Sequence, residues 1–411
     1  MVLPEKYKGY EIVAVNGGCF AINLNDFSSA IISMDGTIID EPPRNEDMMM
    51  RVYKLDDGLL VIAEPNYGYG VKAFRSYDRN GRLVGEFCGE GTKESWYIDI
   101  GETGNYNLVE YDEATGYTIT LYTKDNRKLC TVNGYVEEAF FDEGFAMLET
   151  EEVTGTYNRS TALIDENGEV IQFTIAGNSE YAGRVSSSYV LDDYVNGGRM
   201  VGIERMEFTD GSYVEDCSGI IDMKNRRMYL VEDSPGVYKV HPEYIIRGNQ
   251  VMDKFGQNVL WEGPEISGKD LLYMEFLSES PVYIGAEYFS IEDNMYCAHL
   301  VVMDQSGSIL MQSDDSAVRF LLDREYRPVA CSSEGIFPVE KKVTIVREVP
   351  ARYGVEYEEE EVERIGYMNV QGELIIPFIY ESATEFDGGY AVVDGKYIIN
   401  TQGEIVVSMS D

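Results

Sequence analysis

Two histidines, six cysteines and a large excess of carboxylates set the range of chemistry open to this chain. Cys297 and His299 stand at i and i+2, a spacing that puts both on one face of a strand. They would supply half of a tetrahedral metal site, and two ligands are too few to hold an ion. His241, in VHPEY, precedes a proline and reads as a loop residue. The chain contains no GxSxG elbow, Walker A loop or HExxH pair. No catalytic residue and no metal ligand is therefore nominated.

Oxygen donors are plentiful. DRNG (Asp78, Asn80) and DENG (Asp165, Asn167) offer side-chain oxygens on tight turns. A calcium loop needs six to eight such ligands in a fixed spacing that ends in a distant glutamate. Calcium thus has partial ligands here and no full motif, and no cofactor is expected. A glycosidase pair cannot be singled out by inventory when carboxylates are this common. For binding, exposed aromatics are the better clue. ESWYIDIGETGNY sets Trp96 and Tyr97 beside a glycine-rich loop, and NVLWEGPEISG ends a strand at Trp261. These three residues are the candidate binding site.

The elements that position them come from a phrase repeated along the chain. GYMNVQGELII and KYIINTQGEIVV share an apolar strand, an Asn, a turn glycine and a second strand. Similar phrases occur at AIISMDGTII, AFRSYDRNGRLVGEF, TLYTKDNRKLCTV, ALIDENGEVIQF, GIIDMKNRRMYLV, QVMDKFGQNVLW and LVVMDQSGSILM. The glycine supplies a positive φ, and the Asp or Asn bonds its own backbone at the turn entrance. The turn-closing residues are Gly36, Gly81, Arg127, Gly168, Arg226, Gly256, Gly307, Gly372 and Gly403, on average about 46 residues apart.

Three or four strands per repeat, joined by hairpins, make an up-and-down meander, and capped helical periodicity is missing. The expected class is all-β: one repeat domain over 1–411, built as a β-propeller of about eight blades, with YEIVAV completing the last one. The alternative is an open β-hairpin solenoid. In the longest repeat, KKVTIVREVPARYGVEYEEEEVERIGY folds back at PARYG. That sets Lys341, Lys342, Arg347 and Arg352 opposite the run Glu356 to Glu363 as a protruding hairpin.

Charge narrows the partners. Lys and Arg number 33 against 73 Asp and Glu, a net −40. Such a surface repels phosphate backbones and anionic lipid, so neither nucleic acid nor a membrane surface is expected as a partner. No apolar run reaches the ~20 residues of a membrane-spanning helix, and the N-terminus does not read as a signal peptide. The cysteines are widely spaced and read as free strand residues.

Residues 363–407 resemble the WG-repeat family of bacterial proteins, also called KWG repeats. The resemblance rests on Gly366, Tyr367, Met368, Asn369, Gly372, Ile375, Ile376, Pro377 and Tyr380, then Phe386, Gly389, Ala391 and Val393. WG-like repeats are read over 363–411. A weaker match lies around 140–168, with Phe141, Gly144, Phe145 and Ala146 in the corresponding places. The signature Trp-Gly is replaced by Ile365-Gly366 in one copy and is absent from the other. The resemblance implies a non-catalytic binding or scaffold protein at the surface of a bacterium, with a protein or glycan partner. Its rivals are a glycan-degrading propeller enzyme using paired carboxylates and a cytoplasmic repeat scaffold.

Overall fold

The repeated phrase folds into one hydrogen-bonded turn, nine times over. The computed structural model describes residues 1–24, 28–42, 48–55, 58–65, 71–87, 95–100, 104–114, 116–133, 135–138, 146–151, 159–196, 199–231, 233, 237–292, 295–313, 317–323, 327–351 and 354–409. They form two compact units: residues 18–247 with 251–260, and residues 1–17, 248–250 and 261–411.

In each turn the fourth residue donates its N–H to the carbonyl of the first, as in Gly81 to Asp78 at 2.8 Å and Gly403 to Asn400 at 2.8 Å. In six of the nine the entry Asp or Asn side chain then takes two further amides, whereas Ser33, Thr123 and Asp222 take one each. Asp78 Oδ1 accepts from Asn80 and Arg82, both at 2.9 Å. Asp304 Oδ1 accepts from Ser306 and Ser308 at 2.8 and 3.0 Å. The two C-terminal copies go further: Asn369 Nδ2 donates to Glu373, and Asn400 Nδ2 to Glu404, at 2.8 and 2.9 Å. That shared bond is why the sequence repeats Asn, two residues, Gly, Glu. In the third turn the left-handed residue is Asn126 (φ 65°), one position before the expected Arg127. Asn is the non-glycine residue that tolerates this conformation best.

Eight of the nine turns join the last two strands of an antiparallel meander. The turn closed by Gly168 instead follows the last strand of its sheet, and the chain returns there only as the single bridge of Val170 to Ile164. The described residues contain nine sheets. The fold is all-β, and its meanders are the blades of a β-propeller; nine phrases in the sequence give nine sheets. The second sheet is representative: Met48–Leu55, Gly58–Pro65, Ala73–Asp78 and Leu83–Phe87 pair in chain order. The two widest intervals have separate causes. Between Gly168 and Arg226 an extra strand, Thr174–Ala176, adds in parallel to Arg227–Val231. Between Gly307 and Gly372 stands a hairpin of two 16-residue strands, Ile336–Ala351 and Gly354–Asn369.

The expected role of YEIVAV is corrected. It forms the strand Glu11–Asn16, and the segment that adds to the last sheet is nearer the N-terminus, where Val2 bridges Ser408 in parallel. Leu3 N–H donates to Ser408 O at 2.9 Å. Phe141, Gly144, Phe145, Cys88 and Arg352 lie outside the described residues.

A second reason for the turn glycines emerges from packing. A Cβ at Gly81 would stand 2.1 Å from Ile39, at Gly168 3.1 Å from Val132, and at Gly372 2.7 Å from Met311. In each case the neighbour belongs to the outermost strand of the preceding sheet. The bare glycine is a seat, and consecutive sheets lock at it by close packing of the kind found throughout protein cores.

Candidate functional site

Of the nominated aromatics, Trp96 and Tyr97 are successive residues of Ser95–Ile100 and point to opposite faces of the sheet. Trp96 is half-buried, with Phe87 edge-on at 6.2 Å and the Lys72 ammonium 4.3 Å above its ring. Tyr97 packs on Val109, Ile119 and Leu121. Trp261 is half-buried in the other unit, and its Nε1–H donates to Gln305 O at 3.1 Å. The structure therefore gives no joint platform of Trp96 and Tyr97.

The turn carboxylates are already employed. Asp165 Oδ1 accepts from Asn167 and Glu169 at 2.9 and 3.2 Å. Partial burial works against its charge, yet these amides and the Arg226 guanidinium hold its carboxyl below the usual range. Cys297 and His299 share the strand Met295–Asp304 and stand across from Ser290 and Tyr288. Among the described residues no three His, Cys, Asp or Glu side chains are grouped to hold a metal ion.

Among the described residues the most buried carboxylate is Glu287, 1 % exposed on strand Val282–Glu292. Arg319 Nε donates to its Oε1 at 2.9 Å, and the Tyr273 hydroxyl to its Oε2 at 2.8 Å. Burial and the adjacent Glu287 charge push the Tyr273 phenol far up. Burial and the Glu363 charge raise the Glu340 carboxyl nearby. Both Glu287 oxygens are engaged, an arrangement suited to joining strands from two sheets rather than to proton transfer. The other unit has a like bracket: Arg75 donates to both oxygens of Asp40, at 3.2 and 2.9 Å, and the Tyr77 hydroxyl also bonds it.

Two surface features remain. One is a cleft of about 480 Å³ lined by Asn249, Glu265, Ser267, Lys269, Asp270 and Tyr288. The loop at its mouth is held by the Tyr288 hydroxyl, which donates to Pro264 O at 2.6 Å. The other is the long hairpin. Its strands pair continuously from Ile336 with Asn369 to Ala351 with Gly354. Among the described residues neighbouring strands cover only the base, at Val318–Phe320 and Leu374–Tyr380. Beyond Lys342 and Glu363 the hairpin is a two-stranded ribbon, about 30 Å long at 3.3 Å per residue. Arg347 pairs with Glu360 at 2.9 Å, so the expected charge pairing across the strands is present. Val346 and Tyr357 are 62 % and 69 % exposed on this ribbon. The sequence nominated neither, although both sit in plain alternation with charged residues.

Comparison with curated proteins finds no match. Among solved structures the chain is similar to "Crystal structure of the eukaryotic initiation factor", at 10 % identity and TM-score 0.34, over 73 % of this chain and 86 % of that one. It is similar to "Dihydro-heme d1 dehydrogenase NirN in complex with DHE" at 12 % identity and TM-score 0.32, over 74 % and 66 %. It is also similar to prolyl oligopeptidase B from Galerina marginata, at 10 % identity and TM-score 0.31, over 90 % and 57 %.

The family comparison is local and agrees with the packing. Residues 365–396 match the family described as "WG containing repeat". In that segment Tyr367, Ile376, Tyr380, Phe386, Ala391 and Val393 form one buried cluster. The Tyr367 hydroxyl donates to Thr384 O at 2.9 Å. Gly366 lies so close to the neighbouring strand that a Cβ would stand 2.6 Å from Ile376 O. The repeat's marker residues thus build its core, and residues 365–396 of this chain are a WG repeat.

Proposed function

We propose that this chain is a non-catalytic binding or scaffold protein of a bacterial envelope, presenting surface elements to a protein or glycan partner. The observation that supports it is the projecting ribbon. A two-stranded extension with Val346 and Tyr357 in solvent adds nothing to the blade core. Exposed apolar side chains on such an element are what a partner surface requires. The engaged oxygens of Glu287 and Asp40 argue in the same direction, since a general acid or base needs a lone pair or proton free for its substrate.

The test is an array of glycans and proteins probed with the intact chain, run beside a turnover assay on the same glycans. Binding without turnover is the expected result. Trp96→Ala and Trp261→Ala variants, checked for folding by thermal melting, report whether those aromatics contribute. Cleavage of any glycan would replace this reading with the enzyme. Fractionation of the native cells decides between envelope and cytoplasm.

A further inference from the structure

The ribbon has two unlike faces. Directly opposed residues of antiparallel strands point to the same side, so the register divides the side chains without ambiguity. One face carries Lys341, Arg347 and Arg364 with Glu358 and Glu360, interleaved with the half-buried Val343, Ile345 and Val362. Its charges are matched, with Arg347 on Glu360 at 2.9 Å and Arg364 on Glu381 at 3.0 Å. The other face carries Glu348, Glu359, Glu361 and Glu363 with the single cation Lys342. Val346 and Tyr357 stand on this second face, as a diagonal cross-strand pair. Guarding an edge against aggregation accounts for glutamates on a strand. It does not account for two apolar side chains in solvent among them, nor for charge matching on one side only.

The ribbon also has an open edge. Described pairing on the outer side of Gly354–Asn369 begins at Ile365, so 354–363 has no strand beside it among the described residues. We infer that this edge and its acidic face dock an extended, basic segment of another protein. The reading rests on the binding role proposed above and names its partner class. Added as a third strand, such a segment puts every second side chain on the acidic face. Lysine or arginine at alternate positions would meet Glu363, Glu361 and Glu359, and the next position on that face would cover Tyr357 with an apolar group. A second copy of this chain is the wrong occupant, because two bodies of net charge −40 repel.

The test is titration of the intact chain with a synthetic peptide in which lysine alternates with threonine and the last residue is valine. A peptide of the same composition with its lysines in one block is the reference. Binding of the alternating peptide at least tenfold tighter than the block is expected. It should fall at least tenfold in the double variant Val346→Ser/Tyr357→Ser and stay unchanged in Glu358→Gln/Glu360→Gln, on the opposite face. All variants must melt like the parent chain. Equal affinity for both peptides, or an equal loss from either face, would reduce the effect to general attraction for cations and overturn the inference. No peptide binding, with array binding intact, would sink the ribbon as the site and leave the binding role standing. No peptide binding together with glycan turnover would remove both.

Discussion

The indole of Trp261 lies flat against Gly307: a Cβ on the glycine would stand 2.8 Å from the ring, and the Trp261 Nε1–H reaches Gln305 O of the same turn. Gly307 also has φ +82°, so the position excludes a side chain on two independent grounds. Gly307→Ala is expected to cost about 2–4 kcal/mol, combining left-handed strain with overpacking. Gly116→Ala separates the two, since Gly116 has φ +72° and nothing within 4 Å. It should cost only the backbone share, about 1–2 kcal/mol. Chemical denaturation of both variants checks this, and equal losses would show that the indole seat contributes nothing.

Arg319 holds a carboxylate that is 1 % exposed, while its own side chain is 46 % exposed. Arg319→Ala leaves Glu287 charged, buried and short of its cation, for an expected loss of about 2–3 kcal/mol after allowance for the wet side of the pair. Replacing both residues, Glu287→Met with Arg319→Met, should destabilise less than the single change. A double variant weaker than Arg319→Ala would contradict a structural role for this bracket.

Asp99 titrates in the opposite sense from the turn carboxylates, because burial raises its carboxyl above the ordinary value. Asn107, across the strand from it, is 1 % exposed and has neither amide atom hydrogen-bonded among the described residues. The folded chain therefore binds the Asp99 proton more tightly than the unfolded chain does. That contribution to stability is complete below the unfolded value and is lost as pH rises through the folded one. Asp99→Asn, which mimics the protonated form, should raise the melting temperature at pH 7 and have little effect at pH 3. A gain of equal size at both pH values would contradict the assignment.

The legible part of the fold was the part written in local chemistry. An Asp or Asn bonding two amides ahead, with a left-handed residue closing the turn, needs only five consecutive residues. It therefore showed wherever it occurs, at Asp78 as at Asn400. In the third turn Asn126 and Arg127 compete for the left-handed position, and only geometry separates them. YEIVAV fits the last sheet by pattern, as any apolar strand near the N-terminus would. The pairing at Val2 is a single bridge without periodicity. The seats on Gly81, Gly307 and Gly372 could not be read, since each partner comes from the previous sheet, a whole repeat away. The same holds for Glu287 and Arg319. The acidic face of the ribbon was half legible: Tyr357, Glu359, Glu361 and Glu363 alternate in the sequence. Placing Val346 beside them required the register of the facing strand.

Thiol chemistry offers a simple check on burial. Cys19, Cys130, Cys217 and Cys331 are free thiols. Burial pushes the Cys331 thiol up to about 12 and that of Cys217 to about 11. Since the thiolate is the reactive form, Cys331 should resist alkylation in the native chain at pH 8 and react fully in denaturant. Peptide mapping by mass spectrometry reads this site by site, and rapid native labelling at Cys331 would show that the connection around it opens.

The ribbon's role as a docking edge is tested most directly by amide hydrogen exchange on the intact chain, with and without the alternating lysine peptide. Slowed exchange concentrated at residues 354–363, with the blade cores unchanged, is the expected result. Protection spread over the acidic surface, or confined to residues outside the ribbon, would contradict it.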